Sequence, residues 1–357
     1  MRWRLPRPFG RIDLKALRRR TNRWLFVACI AAVAAIALLI AVWQARDSLA
    51  ELDIEFTAAA AGEGLNVTWF GVSTLLFDDG ETQILVDGYI SRPAAADIAM
   101  LKPVSNDAAT INYWLHEYGV WRLAAIIPSH THFDHAMDIG AIANRSAASI
   151  IGSESAAAIA RGAGVPDDQI ILAEDDSEYT FGQFTVRLIR TPHAPVGPRG
   201  TVLLDGRIDE PLEVPAPVAA WRAGTSYSVL VSHPLHTTLV HASAGIGNTA
   251  LEAVRADTVF LGVGMLEGLG TDYIRRYWVS TVTTSGAERV IPVHFDDYTQ
   301  PFGDIRLPPA LIDNVPKTFK TLESLRNAYD KNTSIRLPRF GVPIPLGAPE
   351  ESGGSAT

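Results

Sequence analysis

Residues 123–138 read LAAIIPSHTHFDHAMD, and this stretch decides the fold. Leu123 to Ile127 is a short apolar run that reads as a buried strand, Pro128-Ser129 ends it, and Ala136 to Arg145 resumes helical spacing. Strands interspersed with helices in this way favour a layered α/β domain. While the link stays extended its side chains alternate, so His130 and His132 point one way and Thr131 and Phe133 the other. Two imidazoles can therefore meet at one metal ion. From Asp134 the chain turns into the helix, the alternation breaks, and Asp134 with His135 is aimed at a second, neighbouring point. A helix-capping role would explain Asp134 alone. It does not explain three histidines within six positions of a chain that has nine. The only cysteine, Cys29, lies in an apolar run, so any metal must be held by imidazole and carboxylate, a donor set that suits zinc.

The segment SHTHFDHAMD resembles the H-x-H-x-D-H signature of the metallo-β-lactamase superfamily, and the order of later features extends the resemblance over roughly Leu65 to Pro301. It implies a four-layer αββα sandwich with metals at one edge of two sheets. By the same resemblance, Asp87 in ILVDG supports the metal site from behind. His193 in RTPHAP joins His130 and His132 at the first metal, and His294 in VIPVHFDD joins Asp134 and His135 at the second. One position departs from the pattern. Where the family carries an aspartate that bridges two metals, the stretch LVHASAG over Leu239–Gly245 places Ser243. A neutral hydroxyl removes one negative charge from a site meant for two dications, so the second metal is expected to be weak or absent. His233, His236 and His241 lie nearby in sequence as candidates to compensate, although each reads first as a satisfied structural histidine.

The activity implied is metal-dependent hydrolysis with one or two zinc ions. Zinc lowers the pKa of bound water to about 7, and the hydroxide so formed would attack an ester, a lactone or a phosphodiester. With a single metal, Asp134 becomes the catalytic carboxylate that orients or deprotonates the water. The alternative is a non-catalytic, metal-binding membrane sensor whose second site has decayed at Ser243.

Charge and hydropathy set the surroundings. Residues 1–23 hold nine basic side chains against Asp13 alone, about +8, while the whole chain carries −8, leaving about −16 for the rest. An acidic body of this kind argues against nucleic-acid binding. Trp24 to Trp43 (WLFVACIAAVAAIALLIAVW) is uncharged and about 30 Å long as a helix, enough to cross a bilayer. Tryptophans bracket it as at lipid–water interfaces. A cleaved signal peptide ending near Ser48-Leu49-Ala50 is the rival, but the run exceeds the roughly 7–15 residues of a signal core. The expected organisation is a basic cytoplasmic arm (1–23), a transmembrane helix (24–43), a stalk (44–64), the hydrolase domain (65–346) and a disordered tail (347–357). The positive-inside rule then puts the domain on the exported side, periplasmic or extracellular. Its partners are the lipid bilayer and a small-molecule or lipid-like substrate. Strands are expected over Asn66–Phe77, Gln83–Val86, Phe184–Ile189, Ser226–Val231, Thr238–His241, Thr258–Leu261 and Arg289–Val293, with helices over Thr110–Tyr118, Thr249–Arg255 and Asp272–Thr281. No internal repeat is visible. The Gly- and Pro-rich run from His193 to Ser226 reads as a long loop beside the site.

Overall fold

Short apolar strands with two-residue periodicity build the body of the protein. The computed structural model describes residues 14–59, 64–247 and 249–347. The run expected as one strand from Asn66 to Phe77 is two, β1 (Asn66–Trp69) and β2 (Leu75–Asp78), because Gly71 allows a tight reversal closed by Thr74 N–H donating to the Gly71 carbonyl at 3.0 Å. There follow β3 (Gln83–Val86), β4 (Leu123–Ile127), β5 (Ser149–Gly152) and β6 (Ile170–Leu172), all in the first sheet. The second sheet holds β7 (Glu178–Phe181), β8 (Phe184–Arg190), β9 (Tyr227–His233), β10 (His236–His241), β11 (Thr258–Gly262), β12 (Arg289–Val293) and β13 (Ser334–Ile335). Finally β14 (Pro343–Pro345) returns to pair with β1.

The strand faces divide the core in two. Val67, Trp69, Leu75, Phe77, Ile84, Val86, Ala125 and Ile127 join Val186, Leu188, Val229 and Phe260 in the interior shared with the second sheet. The residues between them, Leu76, Leu85 and Ile126, pack instead with Trp114, Ile142 and Ile159 of the helices Ala108–Glu117, Ile139–Ser146 and Glu154–Gly162. Around the second sheet, Tyr277 and Trp278 of helix Thr271–Trp278 and Phe319 and Leu322 of helix Val315–Tyr329 complete the apolar body. Each fully buried side chain of this size contributes roughly 1.5–3 kcal/mol. The layers are helix, sheet, sheet, helix.

The two sheets repeat one pairing scheme. In each, three antiparallel pairings, β14-β1-β2-β3 and β7-β8-β9-β10, are followed by three parallel ones, β3-β4-β5-β6 and β10-β11-β12-β13. The sequence shows no trace of this duplication, since any apolar residue of suitable volume serves a buried strand. Its consequence is that β4, β8 and β12 end on the same side of the sandwich.

Residues 1–45 and 46–357 form separate compact units. In the first, the described element is the helix Leu14–Gln44, and its side chains from Arg23 to Ala41, 19 residues, are all exposed. By length and composition this helix can cross a membrane, a test that a signal sequence also passes. In the second unit, residues 46–59 of the expected stalk pack on the folded body: Leu52 is buried and Thr57 N–H donates to the Leu337 carbonyl at 2.9 Å. The body therefore begins at Arg46 rather than near Leu65. The expected helix Thr249–Arg255 is a single turn, Thr249–Leu251. Most of the basic arm and the tail beyond Gly347 lie outside the described residues.

Candidate metal centre

The link after β4 stays extended through His132 (φ −63°, ψ 154°) and coils into the short helix Phe133–Ala136. This bend divides the motif. His130 and His132 face His193, which stands on the loop after β8, and Asp134 and His135 face His294 immediately after β12. Within each of these two triads the candidate ligand atoms lie within 4.8 Å of one another. The triads touch, with the His130 and His135 ring centroids 3.9 Å apart.

In the first triad the hydrogen bonds on the outer side of each ring select the inner atom. His132 Nε2–H donates to the Leu203 carbonyl at 2.8 Å, leaving Nδ1 inward, 3.0 Å from His130 Nε2. His193 Nδ1–H donates to the Ala194 carbonyl at 2.8 Å and leaves Nε2 inward. Burial pushes His130 well below its ordinary pKa, and the neighbouring imidazoles push it further; His132 and His193 are also lowered mainly by burial, His193 to about 4. The three rings are thus neutral at physiological pH, with ring nitrogens converging on one point. A dication fits that arrangement, and the donor set suits zinc.

The second triad carries a carboxylate. Asp134 Oδ2 lies 3.2 Å from His294 Nε2 and 3.6 Å from His135 Nε2. Burial raises the Asp134 pKa, but His135 and His294 outweigh it and hold the carboxyl ionised. For His294 burial acts downward and Asp134 overcomes it, so its pKa is raised. Behind this triad stands Asp87, fully buried, whose Oδ2 accepts from His135 Nδ1–H at 2.8 Å and whose Oδ1 accepts the Ser129 amide at 2.6 Å. Ser73, on the turn between β1 and β2, donates to the same Asp87 oxygen at 2.5 Å. Asp87, His294 and Met265 all hold left-handed backbone conformations, φ 57°, 61° and 60°, which is strain of the kind found where side chains must be aimed.

Ser243 joins neither triad. Its Oγ donates to the Pro192 carbonyl at 3.4 Å, and its carbonyl accepts from Ala194 N–H, so it braces the His193 loop. Nor do the three candidate compensators reach the metals. Both ring nitrogens of His241 are taken, by Ser228 Oγ and the Gly245 carbonyl, while His236 bonds Thr258 and His233 faces Asp79.

Several site residues escaped the sequence reading. Asp138 accepts from the Ile90 and Ser91 amides, Ser91 Oγ and Asn106, tying the end of the motif to the chain after β3. Its place three residues beyond His135 was the available signal. Asp296 accepts the Val72 amide at 2.8 Å and pairs with Arg92, fastening the His294 loop to the turn that carries Ser73. Tyr298 sets its ring edge-on to His294 and Phe133, and its hydroxyl has no hydrogen-bond partner among the described residues. Asp313 accepts the Met265 amide at 2.7 Å, and burial pushes its pKa up to about 6.

A family model described as the metallo-beta-lactamase superfamily matches residues 67–279. A protein called a UPF0173 metal-dependent hydrolase, from Heliobacterium modesticaldum, is 28% identical over 210 residues, covering 58% of this chain and 74% of that protein. Among solved structures, the isothiocyanate hydrolase from Delia radicum gut bacteria aligns with a TM-score of 0.49 and 14% identity over 79% of this chain and 100% of its own. Igni18, a metallo hydrolase from Ignicoccus hospitalis, aligns with a TM-score of 0.48 and 14% identity over 78% and 97%.

Proposed function

The chain belongs to the metallo-β-lactamase superfamily and is a metal-dependent hydrolase of that fold, and from this premise we propose that it cleaves an ester, lactone or phosphodiester with zinc held by His130, His132 and His193. The observation that carries the reading is the first triad, in which three neutral imidazoles converge with their outer nitrogens already engaged, His130 by Ser129 Oγ, His132 by the Leu203 carbonyl and His193 by the Ala194 carbonyl. When bound, the metal supplies Lewis acidity and a water that ionises near neutral pH.

The chain's own residues divide the remaining work. Asp134, kept ionised by His135 and His294, accepts at Oδ2 the proton of the attacking water. Asp87 fixes the His135 ring through Nδ1 and so keeps Nε2 turned toward Asp134. Tyr298, beside His294, is the free hydroxyl available to donate to a substrate oxygen. With Ser243 turned to Pro192, a second metal at Asp134, His135 and His294 lacks the bridging carboxylate and binds more weakly than the first.

The helix Leu14–Gln44 is read as a retained anchor, with the basic N-terminal residues cytoplasmic and the hydrolase on the exported side. The test of the catalytic reading is metal analysis of the purified chain with hydrolysis of p-nitrophenyl acetate, a simple lactone and bis(p-nitrophenyl) phosphate. His132→Ala is expected to lose both bound metal and hydrolysis. Unchanged metal content in that variant overturns the assignment.

A further inference from the structure

We propose that the turn 307–313, together with Met265 and Leu203, rests in the lipid surface, and that the substrate is a long-chain lipid ester or phosphodiester drawn from that surface into the metal centre. The proposal rests on the hydrolase and anchor reading above and adds to it the surface of contact and the substrate class.

Three observations converge. First, the chain joins the folded body at Arg46, two residues after the apolar helix ends, and Arg46 is fixed there: its guanidinium bonds Asp297 Oδ2 and the Leu307 carbonyl, both at 2.6 Å, and its backbone bridges Pro309. Asp297 is three residues beyond the ligand His294. The place where the chain arrives from the apolar helix is therefore part of the loop that carries the metal site.

Second, the residues next to that place are apolar and exposed. Leu311 is 70% and Ile312 44% exposed, on a turn closed by Ile312 N–H donating to the Pro309 carbonyl at 2.7 Å. Single exposed leucines are ordinary on protein surfaces. These two continue through Asp313 to Met265, itself 38% exposed, whose amide Asp313 accepts.

Third, exposed apolar side chains also stand beside the ligand triads. Gly264 lies so close to His294 that a Cβ there would meet Nδ1 at 2.9 Å, which places Met265 beside the second triad. Leu203, 44% exposed, gives its carbonyl to His132 of the first. Each triad thus has an exposed apolar side chain beside it, and exposed apolar side chains grouped around a site mark an interaction surface. A bilayer is the occupant that the chain itself brings to Arg46, since the apolar helix preceding it, Arg23–Ala41, is long enough to cross one.

The test uses the full chain in phosphatidylcholine–phosphatidylglycerol vesicles, with Cys29→Ser as background. A fluorophore on Leu311→Cys is expected to be quenched by spin-labelled lipid several-fold more than one on Leu235→Cys. Leu235 is equally exposed but sits in the β9–β10 hairpin, at the end of the sandwich away from the triads. In parallel, the double variant Leu311→Asp, Ile312→Asp should lower hydrolysis of p-nitrophenyl palmitate in vesicles at least tenfold while leaving p-nitrophenyl acetate unchanged. Equal quenching at the two positions, or palmitate turnover that survives the double variant, overturns the proposal. A metal-loaded wild type that cleaves neither ester refutes the hydrolase reading, and the quenching then decides the surface alone. Failure of the chain to float with vesicles refutes the anchor and the proposal with it.

Discussion

The first and second triads are built from the same kinds of residue yet are held by different physics. His130, His132 and His193 carry no charge; backbone carbonyls set the rings of His132 and His193, and the Ser129 hydroxyl meets that of His130. Asp134, His135 and His294 form a charged cluster whose geometry depends on further buried carboxylates, Asp87 and Asp296. An uncharged triad is complete once its loops fold. A charged one needs every member of its network.

The largest test of that contrast removes one ligand from each side. His130→Ala should abolish hydrolysis and tight metal binding together, whereas His294→Ala should keep close to one tight metal per chain, measured by elemental analysis after dialysis. If the two variants lose metal equally, the triads are one cooperative site and the contrast fails. Next in size is Asp87→Asn. Loss of an outer partner to a ligating histidine costs about 10–100-fold in metal affinity or activity. Because Asp87 bonds His135 directly and reaches His130 only through Ser129, the metal at the second triad should be the one released first in a chelator titration.

Acidification separates the triads further. Asp134 raises the pKa of His294, so at the second triad protons compete for the ligand from above 6.5 downward and affinity falls as pH falls. Burial lowers His193 to about 4, so at the first triad competition begins only near that value. Metal retained per chain should therefore fall in two steps, with the second triad emptying first as the pH is lowered. The metal-free protein carries a linked signature: unfolded histidine binds a proton below about 6.5, whereas buried His193 and His241 do so only near about 4. In that window the unfolded state holds more protons, and the melting temperature should drop as pH falls through it. The smallest expected effect is that of Ser243→Asp. Restoring a carboxylate should raise second-metal affinity by about tenfold if the loop rotates it away from Pro192, comparable to the lower range for tuning of a metal site. Two equally tight metals in the unaltered chain would show that another group supplies the bridge.

How much of this was legible follows from the range of each interaction. The HTHFDH motif declared its division into two directions, because the pleat and the start of a helix are local properties of six residues. The strands β4, β8 and β12 were visible as apolar runs between turn signals. The split between β1 and β2 was not, since Phe70 to Thr74 is as apolar and β-branched as the strands beside it, and only the left-handed Gly71 and Val72 reverse the chain. Asp138, Asp296 and Asp313 were missed for another reason. Each accepts hydrogen bonds from backbone amides tens of residues away, and apart from the place of Asp138 just beyond His135 no local pattern distinguishes such a carboxylate from an exposed one.

By itself the sequence determined the family, the metal-binding character of the donors and the presence of a bilayer-length apolar helix, because these depend on residue type and short spacing. The tertiary structure alone decided which ring nitrogen of each histidine faces inward, that Ser243 and His241 serve the scaffold, and that Arg46 locks the start of the folded body to the loop of His294. His132 with Leu203, Ser243 with Pro192 and Arg46 with Asp297 are pairs far apart in the chain, and such partners are fixed only when the two sheets have closed on one another.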